Sequence, residues 1–184
     1  LSVRAGGIFV FARLAMDCLE ERAVADASEG AAATKLSIEA LPQDLGDMYT
    51  ARFELEFPGE EGLARYEQYV RPMLAVLVSA RRAVPRELLV MAVTEELWDD
   101  KGEKRSGKLS SAEGRAVRQA ARLVQQWCSA SQDSDVSLLE FSHKSIKDWL
   151  LQAAGEHAFS VNSEEEEGGG YGHQLLTRLA LSVM

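Results

Sequence analysis

A mainly α fold, carrying one small β-hairpin or wing, is predicted by three observations. Apolar residues recur at helical spacing over several stretches, whereas period-two alternation is confined to short pieces. Helix-starting residues precede those stretches, and Pro or Gly closes them. Hydrophobic residues make up 46% of the 184 positions, enough for a buried core in one ordinary domain or two small helical ones.

The elements follow in chain order. Ile8, Phe11, Ala15, Cys18, Leu19 and Arg22 keep helical spacing after Gly6-Gly7, so residues 7–22 read as a helix. The Ala-, Ser- and Gly-rich stretch 23–40 reads as a loop. Leu41-Pro42 opens the next helix, with Pro42 suited to a first turn and Leu45, Met48, Tyr49, Phe53 and Phe57 on its apolar face. Pro58-Gly59 stops it. From about 60 to 81, Leu63, Tyr66, Val70, Met73, Leu74, Leu77 and Val78 form one stripe. Pro72 lacks an amide donor, which predicts a kink or a fresh helix start there. A third helix is expected from Pro85 to about Thr94, after a short connection at 81–84. A charged, glycine-containing loop spans 98–110, and an amphipathic helix spans Ala112–Ser129 with Val117, Ala120, Ala121, Val124, Trp127 and Cys128 on its apolar side.

Ser137–Ser142 is the best strand, because Leu139 and Phe141 alternate with polar neighbours. Ser145-Ile-Lys-Asp148 has the form of a capping box for a short helix burying Ile146, Trp149 and Leu150. Phe159-Ser-Val161 reads as a second extended piece. Glu164–Gly170 is an acidic, glycine-rich loop, and a last helix starts near Tyr171–His173. Helix, helix, helix, strand, helix across 60–153 is compatible with a winged-helix arrangement. The chain starts at Leu1 inside a helical approach and stops at Met184 inside an apolar helical pattern, so both ends are expected to continue into a longer protein.

Charge narrows the partners. The formal net charge is −9, and binding to nucleic acid depends on neutralising phosphates, so the balance predicts no nucleic-acid partner and no anionic membrane surface. Cys18 and Cys128 are too few for a disulfide framework, and no Cys/His cluster has zinc spacing, which fits a reducing, cytoplasmic setting. The run at Ile8–Ala12 is too short to span a bilayer.

Few residues offer chemistry. Gly102-Glu-Lys-Arg-Ser-Gly107-Lys108 matches G-x-x-x-x-G-K, but Leu109 stands where a Ser or Thr must hold Mg²⁺ and no buried strand leads in, so it reads as a charged loop. Glu54, Glu56, Glu60, Glu61 and Glu164–Glu167 read as solvated surface. His157 is expected near a helix end with a structural role or none, and His173 as a cap or packing residue. His143 lies at a strand-to-helix junction. First-turn amides can meet an anion there, and its imidazole can donate to a phosphate oxygen with Lys144 adding charge nearby. A histidine packed at a junction and bonded to backbone is the plainer account.

Phe141-Ser-His-Lys-Ser-Ile-Lys-Asp-Trp-Leu-Leu151 resembles the F-x-H-K-S-x-x-D-W-L segment that closes the winged-helix domain of STAND-class NTPases, the NACHT and NB-ARC group. Gly6–Ala15 resembles the G-x-F-x-x-A helix after the NTPase core, Leu41–Tyr49 the L-P-x-x-L-x-x-x-Y segment, Tyr69–Pro85 the first winged-helix helix and its turn, and Phe159–Val161 with Gly172-His173 the exit toward C-terminal repeats. The resemblance implies a helical, lid-like segment over 1–57, a winged-helix domain over 58–158, and a linker with the first helix of a repeat region over 159–184. It implies a non-catalytic module between an upstream P-loop domain and downstream ankyrin, TPR or WD40 repeats, with ADP or ATP bound mainly by the upstream domain and homo-oligomerisation on activation. His143 matches the histidine that contacts the β-phosphate of ADP in such proteins. Ser142 and Lys144 differ from the M-H-D form of that motif. Two other functions fit the residues: a helical scaffold for protein partners, and a nucleic-acid-binding winged helix using Arg115, Arg118 and Arg122.

Overall fold

The computed structural model of the chain describes residues 12–17, 19–20, 44–96, 109–131, 137–152, 157–161 and 170–182. Of the expected 7–22 helix, residues 12–17 and 19–20 are described and are helical, with Leu14 and Ala15 buried. The loop expected over 23–40, Pro42, the G-x-x-x-x-G-K match at 102–108 and Glu164–Glu167 fall outside the described residues. The chain divides into two compact units, Leu1–Pro58 and Gly59–Met184.

In the first unit, helix α1 spans Leu45–Glu56. Its first turn is fixed by Asp44, whose Oδ1 accepts from the Asp47 amide at 2.8 Å. Met48, Tyr49, Phe53 and Phe57 are buried, and the rings of Phe53 and Phe57 lie 6.0 Å apart.

The second unit opens at Gly59, whose φ of +64° is the left-handed value that favours glycine. Helix α2 runs over Gly59–Arg65 and passes into a π-helical turn at Tyr66–Val70 before helix α3, Arg71–Ser79. The expected interruption is therefore present. In a regular helix the ring of Pro72 would strike the carbonyl four residues back. The wider turn resolves this, and the Arg71 amide donates to the Tyr66 carbonyl five residues back. Every residue from Pro72 to Val78 is buried, so α3 is the central rod of the unit rather than a one-striped surface helix. Helices α4 (Arg86–Glu96), α5 (Ser111–Gln126) and α7 (Tyr171–Ser182) pack on it.

Strands β1 (Val84–Pro85), β2 (Cys128–Ser131) and β3 (Leu138–Phe141) form an antiparallel sheet in the order β1-β3-β2. Val84 pairs with Leu139, and Cys128 pairs with Phe141. Pro85 is tolerated because β1 is an edge strand. The expected helix over Ala112–Ser129 is too long: it ends at Gln126, and Cys128 and Ser129 belong to β2. Backbone pairing to β3 overrides a sequence with no β-branched residue. Of the two alternating residues of β3, Leu139 lies in the core and Phe141 is half-exposed.

Two caps differ from expectation. Helix α6 spans Lys144–Leu150 with His143 as its N-cap, so Ser145 and Asp148 do not form a capping box. A capping box does start α5. Ser110 Oγ accepts from the Glu113 amide at 3.2 Å, and the Ser110 amide donates to Glu113 Oε2 at 2.8 Å. Ile146, Trp149 and Leu150 are buried as expected. Residues 159–161 are buried but join no strand. The chain is thus mainly helical, with a small three-stranded antiparallel sheet.

Candidate functional site

The junction between β3 and α6 is fastened before His143 is reached. The Ser142 amide and hydroxyl both donate to the Trp127 carbonyl at 3.0 Å, which ties the end of β3 to the end of α5. The chain then passes through His143 with extended backbone, φ −147° and ψ 138°, and turns into α6. His143 Nδ1 accepts from the Ser145 amide at 3.2 Å and also meets Ser145 Oγ. An amide can only donate, so Nδ1 carries the lone pair and the ring proton sits on Nε2. The ring is exposed, and Nε2 makes no hydrogen bond with a described residue. His143 thus presents one N–H outward from a ring whose tautomer is set by its own helix.

This geometry changes the expected anion site. The Ser145 amide is occupied by His143, and the Ile146 amide donates to the His143 carbonyl at 3.4 Å. The helix start therefore offers less than an open set of first-turn donors. Lys144 is 85% exposed and its Nζ lies 3.8 Å from Asp148 Oδ2, an exposed pair of marginal strength that partly offsets the lysine's charge. His143 and Lys144 remain neighbours at the junction, with the ring as the directed donor and the lysine as a loosely held charge.

Beneath α6 lies a cluster whose connections the sequence did not reveal. Residues 157–161 pass under the end of the helix and are latched there. His157 stacks on Trp149, with centroids 4.2 Å apart and planes 6° apart. His157 Nδ1 accepts from the Phe159 amide at 3.1 Å, and Nε2 lies 2.9 Å from the Trp149 carbonyl. With the amide donating to Nδ1, Nε2 must carry the proton and donate to that carbonyl. The Tyr66 hydroxyl donates to the Phe159 carbonyl at 2.5 Å, and the two rings meet edge-on at 5.1 Å. The Val161 amide donates to the Leu150 carbonyl at 3.0 Å, and Ser160 Oγ donates to the Gln152 carbonyl at 2.8 Å. Burial drives the Tyr66 hydroxyl well above the ordinary tyrosine range, with neighbouring Glu67 adding to the rise and Arg71 opposing it. His157 is structural, as expected, but through stacking and two backbone bonds rather than a helix end. His173, expected as a cap or packing residue, is exposed and makes no side-chain hydrogen bond with a described residue.

Among the described residues, no group of three or more His, Cys, Asp or Glu could hold a metal ion. Burial pushes the Cys128 thiol up to about 12, which leaves it protonated and poorly nucleophilic at neutral pH. Glu54, Glu60 and Glu61 are exposed, and half-exposed Glu56 lies 3.8 Å from Arg52. No described helix is long and apolar enough to cross a membrane. No protein-family model, curated protein or solved structure matches the chain.

Proposed function

We propose that the chain is a non-catalytic regulatory module of a STAND-class, NACHT- or NB-ARC-like NTPase, and that residues 58–158 form its winged-helix domain. The observation that carries this reading is the connectivity. Helix α3, strand β1, helices α4 and α5, and strands β2 and β3 follow one another with sheet order β1-β3-β2, and the segment resembling F-x-H-K-S-x-x-D-W-L sits directly on the exit from β3. The outward Nε2–H of His143 supports a contact from this module to a phosphate oxygen of ADP held by an upstream domain, with Lys144 as a weaker helper. The latched segment 157–161 supports a rigid exit toward C-terminal repeats.

In this reading the module holds the ADP state closed. ATP exchange removes the differential contact and frees the domains to rearrange and assemble as a homo-oligomer in the cytoplasm. A ligand shifts such an equilibrium only by its difference in affinity for the two states, so a single charge-assisted hydrogen bond, about 1.5–3 kcal/mol, allows roughly a 10- to 150-fold change in ADP retention. The test has two arms. The chain alone should show no ATP hydrolysis above buffer; turnover by the purified chain overturns the assignment. In a polypeptide that joins it to its P-loop domain, His143→Ala should release ADP at least tenfold faster. Unchanged retention would leave a protein-binding scaffold as the better account.

A further inference from the structure

Charge is unevenly distributed along the chain. Residues 101–126 carry seven Lys and Arg against two Asp and Glu, a local excess of five positive charges in a chain of net charge −9. Helix α5 lies within this stretch and supplies three of the cations. With about 100° per residue, Arg115, Arg118 and Arg122 fall within about 60° of one another around the helix, and Gln119 and Gln126 flank them on the same side. All five side chains are exposed. Val117, Ala120, Ala121 and Val124, on the opposite side, are buried. The acid of this helix, Glu113, is bonded to the Ser110 amide in the capping box. None of the three arginines forms an ion pair with a described residue.

We propose that this face of α5 is a docking surface for duplex DNA. Charge complementarity points to a polyanion, and two observations choose among polyanions. Protein interfaces centre on apolar or aromatic anchors, whereas DNA interfaces are polar and positive. The exposed large apolar side chains among the described residues are Met16, Leu55, Leu151 and Leu181, and none lies on α5. The face holds arginine and glutamine, whose planar groups pair with phosphate, guanine and adenine edges. The helix has 16 residues, about 24 Å, and its width fits the major groove of B-DNA but not the deep, narrow major groove of duplex RNA. The sequence joining β2 to β3 contains Asp133 and Asp135 and no cation, so α5 rather than the hairpin carries the contact. The chain-wide charge, which predicts no nucleic-acid partner, averages over this segregation. The inference does not depend on the nucleotide reading.

The test uses the full 184-residue chain and a fluorescent 20-base-pair duplex, with anisotropy read at several salt concentrations. Three phosphate contacts give a slope of log K against log salt of about −2.7, so the arginines account for roughly a 40-fold loss of affinity between about 50 and about 200 mM salt. R115Q/R118Q/R122Q should keep the wild-type circular dichroism spectrum and reduce the slope by about 2.7. R118Q alone should reduce it by about 0.9, which keeps the test decisive if the triple variant misfolds. Absence of binding at the lowest salt, or an unchanged slope in R118Q, overturns the proposal. So does equal, arginine-dependent binding of a poly-glutamate peptide, which would assign the face to an acidic protein.

Discussion

Replacing Gly172 with Ala probes the contact that joins α7 to α3. A Cβ at Gly172 would fall far inside van der Waals distance of the Ala75 carbonyl oxygen and the Ser79 hydroxyl, and 2.7 Å from the Ala75 carbonyl carbon. Two of those three atoms are backbone of the buried central helix, so no side-chain rotation relieves the clash. Helix α7 must move away, loosening Leu175 and Leu179, both about 1% exposed, and the Arg71 guanidinium that sits 5.2 Å from the Tyr171 ring centroid. Overpacking of this kind costs about 1–3 kcal/mol, and rigid backbone places Gly172 at the upper end. Alanine's helix propensity returns less than about 1 kcal/mol. The net expectation is about 2 kcal/mol of destabilisation, a fall in melting temperature of roughly 6–10 °C for a unit of this size. Gly114 is the control. A Cβ there meets only the end of the Arg118 side chain, at 3.5 Å, so Gly114→Ala in α5 should stabilise by up to about 1 kcal/mol. Thermal and urea unfolding of both variants decides it. If Gly172→Ala matches or exceeds the wild type, the close approach of α7 to α3 is wrong.

Other perturbations test other parts of the structure. Tyr66→Phe removes the donor to the Phe159 carbonyl and should cost about 1–3 kcal/mol, with faster hydrogen exchange at the Val161 amide showing that the latch has loosened. Ser110→Ala removes half of the α5 capping box and should cost about 0.5–2 kcal/mol in urea unfolding; no loss would mean the box is not formed in solution. Cys128 gives a pH dependence. The folded thiol keeps its proton up to about 12 while the unfolded one releases it near 9, so stability is fully present below 9 and falls as pH rises, by at most about 1.4 kcal/mol per pH unit. Cys128→Ala should make the stability profile between about pH 9 and 10 less steep than the wild type's, the unfolded tyrosines ionising alike in both proteins; an unchanged slope contradicts the burial of the thiol.

Residue patterns alone make legible the helices whose apolar stripes are long, the break at Pro72, a strand within 137–142 and the start of the last helix near Tyr171. Each follows from periodicity or from a residue whose covalent geometry is decisive. The Ser110-Ser-Ala-Glu113 capping box is equally legible as a local S-x-x-E pattern, although apolar spacing alone starts the helix at Ala112. Tertiary structure decided the rest. Cys128–Ser131 becomes a strand only because β3 offers it hydrogen bonds, a long-range choice that local propensity cannot express. His143 was legible as a junction residue, but its tautomer and its role as cap to its own helix depend on where the Ser145 amide falls. The latch of Tyr66, Trp149, His157 and Phe159 joins residues up to 93 positions apart. Such contacts leave no periodic trace, because the residues that form them are neighbours in space and not in sequence.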